Sequence, residues 1–214
     1  MTDFAVARRM MVDGQVRTSD VTDLRIIAAM LELPRERFVA DPALACLDAD
    51  VPVAAGNARR LLKPMVLAKM VQAADVSADD RVLDVGCASG YSSALLARLA
   101  GQVVALEEDP ALVGLAVANL GVGNVTVVTG PLPQGWPSLA SYDIIFVNGA
   151  IEIVPDLLCR QLKEGGRLIA VARRHAVGKA TLYRCVNGEV SGWPIFDASA
   201  ALLPGFAATP AFVF

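Results

Sequence analysis

The stretch VLDVGCASGY, residues 82–91, decides the fold. A run of apolar residues ends in an acid, Asp84, and Gly86, Ala88 and Gly90 follow at alternate positions. Glycine lets a backbone pass against a ligand where a Cβ would clash. A helix that starts after such a loop offers free amide hydrogens. The pattern is that of a chain bringing its backbone close to a nucleotide, and its spacing narrows the choice. A triphosphate loop needs G-x-x-x-x-G-K-[ST], and no lysine follows Gly90. The dinucleotide pattern G-x-G-x-x-G/A wants a small sixth residue, where this chain has Tyr91.

Outward from the loop, short apolar runs alternate with amphipathic ones. RVLDVG, QVVALEE, NVTVVTG, YDIIFVNGA and RLIAVAR read as strands. SSALLARLA, PALVGLAVANLG and VPDLLCRQLKEGG read as the helices between them. Such alternation means parallel βαβ units in a doubly wound α/β sheet, with ligands at the carboxyl ends of the strands. After residue 180 the Asn187-Gly188 pair between alternating runs predicts an antiparallel hairpin. Residues 4–31 read as helical, with Val21, Leu24, Ile27, Ala28 and Leu31 on one face and Pro34 closing the segment. An irregular, partly basic connection follows, and Pro64 opens a further helix. The organisation expected is an N-terminal helical segment over 1–63, an α/β core over 64–178 and C-terminal antiparallel strands over 179–214, within a single domain.

Bulk composition sets limits on function. Apolar residues make up 55% of 214 residues and charged ones 19%, which is enough for a substantial core. A net charge of -3 argues against a general nucleic-acid binder. Residues 110–142 carry no charge, but Asn119, Gly121, Gly123, Asn124 and several prolines interrupt them, so they read as a buried helix and strand and not as a membrane span. Cys46, Cys87, Cys159 and Cys185 are scattered, with no spacing for a metal site or a disulfide framework. A cytoplasmic protein is the simplest expectation.

The second strand ends at Glu107, 21 residues after Gly86, where an acid meets ribose hydroxyls in nucleotide sites. That chemistry is common to NAD and S-adenosylmethionine (SAM) sites, so Glu107 alone does not separate them.

Taken together, G-C-A-S-G-Y after Asp84 resembles the loop of class I SAM-dependent methyltransferases, with Ala88 in the middle glycine's place. The longer stretch VLDVGCASGYSSALLARLAGQVVALEED is similar to the protein-L-isoaspartate O-methyltransferase family, whose loop reads GTGSGYQ; Ser89, Gly90 and Tyr91 match it in place. MMVDGQVRTSDVTDLRIIAAM, LPRERFV, GWP at 135–137, YDIIFVNGA and LLCRQLKEGGRLIAV also resemble family segments, so the likeness covers roughly residues 8–172. It implies a Rossmann-like class I methyltransferase sheet with N-terminal helices. It also implies SAM as cofactor, S-adenosyl-L-homocysteine as product and a carboxylate as acceptor, isoaspartyl residues of damaged proteins in the family itself. The expected cofactor contacts are Asp84, Gly86, Cys87, Ala88, Ser89, Gly90, Tyr91, Glu107, Glu108, Gly130 and Asn148.

The chain also departs from the family. Before the proline-led helix the family carries Thr-Ile-Ser-Gln, whose hydroxyls help form the site; here stand Arg60, Leu61, Leu62 and Lys63. The family's Gly-Asp-Gly after the third strand becomes Gly130-Pro131-Leu132, which removes an acid beside adenine. Asn148-Gly149-Ala150 stands where the family prefers small residues led by threonine.

Arg60, Leu61, Leu62 and Lys63 are therefore the expected substrate side, and Arg59, Arg60 and Lys63 form a basic cluster able to attract an anionic peptide or small carboxylate. A carboxylate acceptor needs no general base, and His175, the sole histidine, reads as a solvated loop residue. Cys87 reads as a small spacer, and Trp136 and Trp193 as packing residues. No metal ligand set and no membrane or nucleic-acid partner is expected. Three other readings stay open: a methyltransferase for another small molecule or protein, a SAM-binding protein without turnover, and an NAD-binding oxidoreductase.

Overall fold

The computed structural model describes residues 3–121, 123–174 and 177–208; His175 lies outside the described residues. In chain order the helices are α1 (Phe4–Met11), α2 (Leu24–Glu32), α3 (Pro64–Ala74), α4 (Tyr91–Ala97), α5 (Pro110–Leu120) and α6 (Asp156–Cys159). The strands are β1 (Val51–Pro52), β2 (Arg60–Leu61), β3 (Arg81–Val85), β4 (Gln102–Glu107), β5 (Val125–Thr129), β6 (Tyr142–Ile151), β7 (Leu162–Arg174), β8 (Val177–Val186) and β9 (Glu189–Asp197).

The parallel strands pair as their sequences predict. The main sheet runs β5-β4-β3-β6-β7-β8-β9, parallel from β5 to β7 and antiparallel from β7 to β9. Val82, Leu83, Asp84 and Val85 of β3 are buried on both faces, which is why the strand is a continuous apolar run and not an alternating one. The order reverses between β3 and β4 on one side and β6 on the other, so the glycine loop after β3 stands at the switch point. Asn187 (φ 53°) and Gly188 (φ 77°) make the expected tight turn between β8 and β9.

Three expectations are corrected. The stretch 4–31 is helical in pieces and not throughout. α1 continues as a π turn over Val12–Val16 and a 3-10 turn to Ser19, Asp20 turns the chain at φ 62°, and Asp23 caps a separate α2 by accepting from the Arg25 amide. The buried face of α2 is Ile26, Ile27, Ala29 and Met30, while Leu24 is 72% exposed. Packing against Met11, Val16 and α3 chose that face from a nearly all-apolar helix.

The second correction concerns residues 154–166. The helix there is a single turn, α6, and Leu162–Gly166 already belong to β7. Tyr142 pairs with Leu162 and Ile144 with Arg167, so a bulge absorbs the extra residues. Gly166 is required there, since a Cβ would lie 2.8 Å from the Lys163 carbonyl oxygen. Lys163 pins the bulge to Asp143 at 2.7 Å.

The third correction is in the tail. β8 and β9 complete the sheet, but residues 201–206 turn back to the far end of β6. Ala150 donates to Ala201 O at 2.8 Å, and Leu203 donates to Ala150 O at 2.9 Å.

The connection between α2 and α3 is held by a fully buried Arg35. Its guanidinium donates to Ala45 O and Leu62 O, both at 2.8 Å, and stacks over the Tyr91 ring at 4.6 Å. Among the described residues no helix is long and apolar enough to cross a membrane. Replacing Arg35 strands two carbonyls and empties the volume of a large side chain. Arg35→Ala should therefore lower the unfolding free energy by about 2–4 kcal/mol in urea titrations. A loss under about 1 kcal/mol would mean that the connection is anchored elsewhere.

Candidate functional site

At the carboxyl end of β3 the loop 86–90 turns sharply into α4. Gly86 (φ 78°), Ala88 (φ 52°) and Gly90 (φ 96°) all take left-handed conformations. This costs glycine little, and alanine tolerates it here only because the loop is fastened at both ends. The amides of Gly86 and Cys87 donate to Leu106 O, and the Ala88 amide donates to Glu107 Oε2 at 2.8 Å. Ser89 Oγ donates to Phe38 O at 2.6 Å, and Asn119 Nδ2 donates to Ser89 O at 3.0 Å. The loop is thus tied to the N-terminal segment, to β4 and to α5.

Glu107 is completely buried at the end of β4. Its Oε1 accepts from the amides of Glu108 (2.9 Å) and Asp109 (3.3 Å), and its Oε2 accepts from Ala88. The remaining positions go to Arg59, whose Nη2 lies 3.0 Å from Oε2 and whose Nη1 lies 3.4 Å from Oε1. Arg59 Nη2 also donates to Gly86 O at 2.8 Å. The loop carrying Arg59 is steadied by Asn57, which donates to Asp109 Oδ2 at 2.9 Å and accepts from the Arg59 amide.

Asp84 lies beneath the loop, fully buried. Its Oδ2 accepts from Ser92 Oγ and Ser93 Oγ, each at 2.6 Å, and its Oδ1 has no partner among the described residues. Burial pushes its carboxyl up to about 6, against the opposing effect of the two serines. Asn148 Nδ2 donates to Gly86 O at 3.2 Å and to Ser92 Oγ at 3.0 Å, joining β6 to this network. It reaches there from a register shift in β6 between Phe146 and Ala150.

A family model for protein-L-isoaspartate(D-aspartate) O-methyltransferase matches residues 7–191. The chain belongs to this family of SAM-dependent methyltransferases. A family relative from Rhodopseudomonas palustris is 40% identical over 203 residues, covering 88% of this chain and 92% of that one. A second, from Koribacter versatilis, is 37% identical over 172 residues, 79% of this chain and 78% of the other. A solved protein-L-isoaspartate O-methyltransferase superposes with a TM-score of 0.81 at 25% identity, over 92% of this chain and 66% of that one. A Plasmodium falciparum chain described as a beta-aspartate methyltransferase, solved in complex with S-adenosyl-L-homocysteine, shares the fold with a TM-score of 0.77 at 20% identity, over 95% and 99% of the two chains. The doubly wound class I methyltransferase sheet expected from the sequence is the one observed.

The residues singled out in the sequence divide into two groups. Gly86, Cys87, Ala88, Ser89, Gly90, Glu107 and Asn148 converge on the switch point, with Glu108 beside them and Gly130 at the end of β5, its amide on Glu107 O. Asp84 supports them from below. Tyr91 faces elsewhere: its ring packs edge-on to Phe38 at 5.3 Å and under Arg35, joining α4 to the N-terminal segment. Burial raises the Cys87 thiol well above its ordinary range, so it stays neutral and fills space, as expected. Trp136 is part-buried in the core, whereas Trp193 is half-exposed on β9, against the packing role expected for it.

The expected substrate side is not one surface. Leu61 and Leu62 are core residues, Arg60 is exposed with Nη1 3.4 Å from Asp50 O, and the Lys63 amide donates to Asp50 Oδ1. The basic cluster of Arg59, Arg60 and Lys63 also dissolves, because Arg59 points inward to Glu107. Neither Arg59's partner nor Leu203 was visible in the sequence. The only hint was an arginine beside the replaced hydroxyl segment.

Two side chains crowd the face of the loop at Gly86. Leu203 packs within 3.4 Å of where a Cβ on Gly86 would stand, and Arg59 Nη2 within 2.6 Å. The cavity left between Arg59, Asn148 and Leu203 is about 60 Å³, well below the roughly 300–1,000 Å³ of small-molecule pockets.

Asp84 makes stability depend on pH. Its folded value lies above the unfolded one, so its contribution is complete below about pH 4 and is lost as the pH rises through about 6. Asp84→Asn should remove this dependence. Relative to wild type, the variant should gain up to about 3 kcal/mol between pH 4 and pH 7 in urea titrations. An equal difference at both pH values would show that Asp84 does not titrate in this range.

Proposed function

We propose that this chain is a protein-repair O-methyltransferase, transferring the methyl group of SAM to the free carboxylate of an isoaspartyl residue in a protein or peptide. The family match across residues 7–191 carries the reading. The left-handed glycine loop at the switch point, with Glu107 and Asn148 beside it, supports it. The acceptor arrives as a carboxylate and needs no proton removed, so positioning and exclusion of water suffice. This agrees with a site whose buried acids among the described residues, Asp84 and Glu107, are both engaged in holding the loop. The four free cysteines fit a reducing compartment and support a cytoplasmic location.

A second reading has an observation of its own. Leu61 and Leu62 stand where the family carries hydroxyls, and both are buried in the core, so an acceptor other than isoaspartate, or binding without turnover, is the alternative. Label followed from methyl-SAM into an isoaspartyl peptide, with its aspartyl twin as control, separates the two. Label in the isoaspartyl peptide alone is the expected result. Absence of label from a preparation shown to bind SAM would leave the family relationship and remove the repair activity.

A further inference from the structure

A buried carboxylate at the end of the second strand of a nucleotide-binding unit is normally free to accept from ribose hydroxyls. Here Glu107 has no lone pair left. A carboxylate offers about four acceptor positions, and the amides of Ala88, Glu108 and Asp109 together with two nitrogens of Arg59 take them up. Two of the amides belong to the turn after β4 and the third to the glycine loop, both parts of the central α/β unit. The guanidinium is different. It is brought in from the loop ahead of β2, its side chain is only 10% exposed, and Nη2 also rests on the carbonyl of Gly86, the first glycine of the loop. The close approach that a glycine at position 86 permits is thus used by the chain's own side chain.

Leu203 closes the same space from the other side. Its side chain lies 2.6 Å from where a Cβ on Gly149 would stand and 3.3 Å from one on Gly86. It is held there by the backbone pairing of Ala201 and Leu203 with Ala150. Both elements come from connections and not from the central parallel strands. Neither belongs to the strand pairings of β3 with β4 and β6, though moving Leu203 gives up the bridge to Ala150 at the end of β6.

We propose that Arg59 is a built-in plug of the cofactor site, holding the ribose position on Glu107 and competing with SAM for it, with Leu203 as the second wall of the closed form. The proposal rests on the methyltransferase reading. It deepens that reading by making the open form of the site a minor population of the free protein. The apparent dissociation constant for SAM is then the intrinsic one divided by the open fraction. Competition of this kind acts on affinity and leaves the identity of the methyl acceptor untouched.

The test is SAM binding by titration calorimetry to the full chain, with S-adenosyl-L-homocysteine as a second probe. Wild type is compared with Arg59→Ala, Arg59→Gln and Leu203→Ala, each first shown to unfold cooperatively in urea. After Arg59→Ala, Glu107 keeps its three amide donors, so a folded variant is expected. If the alanine variant does not fold, Arg59→Gln, which keeps one amide donor for the carboxylate, and Leu203→Ala carry the comparison. The expected result is tighter binding of both probes, about 10- to 100-fold for Arg59→Ala and less for Leu203→Ala, in proportion to the open fraction each variant restores. Unchanged or weaker affinity in folded Arg59 and Leu203 variants overturns the plug. If wild type binds SAM and methylates the isoaspartyl peptide in that case, the methyltransferase reading stands alone. Failure of every folded variant to bind either probe overturns the plug and the SAM reading together.

Discussion

The carboxylate of Glu107 fastens four stretches of chain to one another. It is the last residue of β4, it accepts from the glycine loop through Ala88, from the start of α5 through Asp109, and from the β1–β2 connection through Arg59. A charge taken fully out of water costs several kcal/mol unless it is paired and hydrogen-bonded, and these contacts supply that pairing. Alanine at position 88 can hold φ 52° partly because its amide is committed to this carboxylate.

Around this point the parallel strands are rigid and the connections adjust. β3 is paired on both sides without a break, while β6 shifts register against β7 twice. The first shift takes up the glycine pair 165–166. The second carries Asn148 under the loop and leaves Ala150 free to pair with the returning tail. An irregularity that looks like a defect in the ladder is what lets a strand end contribute to a site.

How much of this could be read in the sequence follows from how local each cause is. The parallel strands were legible because strands covered on both faces leave apolar runs between glycines, and the Asn187-Gly188 turn because few other pairs accept two positive φ values. The face of α2 was not legible. LRIIAAML is apolar almost all round, so its neighbours, and not its own periodicity, decided that Leu24 faces water. The helix expected through 154–166 failed because Lys-Glu-Gly-Gly reads equally well as a helix end and as a bulge, and the Asp143–Lys163 contact selects the bulge. At the site the loop and Glu107 were readable because glycine and an acid at fixed spacing are backbone requirements. The Arg59–Glu107 pair joins residues 48 apart in a different supersecondary unit, and nothing local to Arg59 announces it.

The last strand carries a consequence for how these molecules meet one another. β9 is the outer edge of the sheet, with Trp193 and Ile195 more than 40% exposed along it. An open apolar edge of this kind is a template for intermolecular pairing. Pro194 sits between those two side chains and has no amide hydrogen to offer, and the register against β8 slips beside it, between Ala180 and Thr181. Among the described residues, the exposed strand thus carries at its centre a residue with no hydrogen to donate to an incoming strand, which makes the edge a poorer template for self-association.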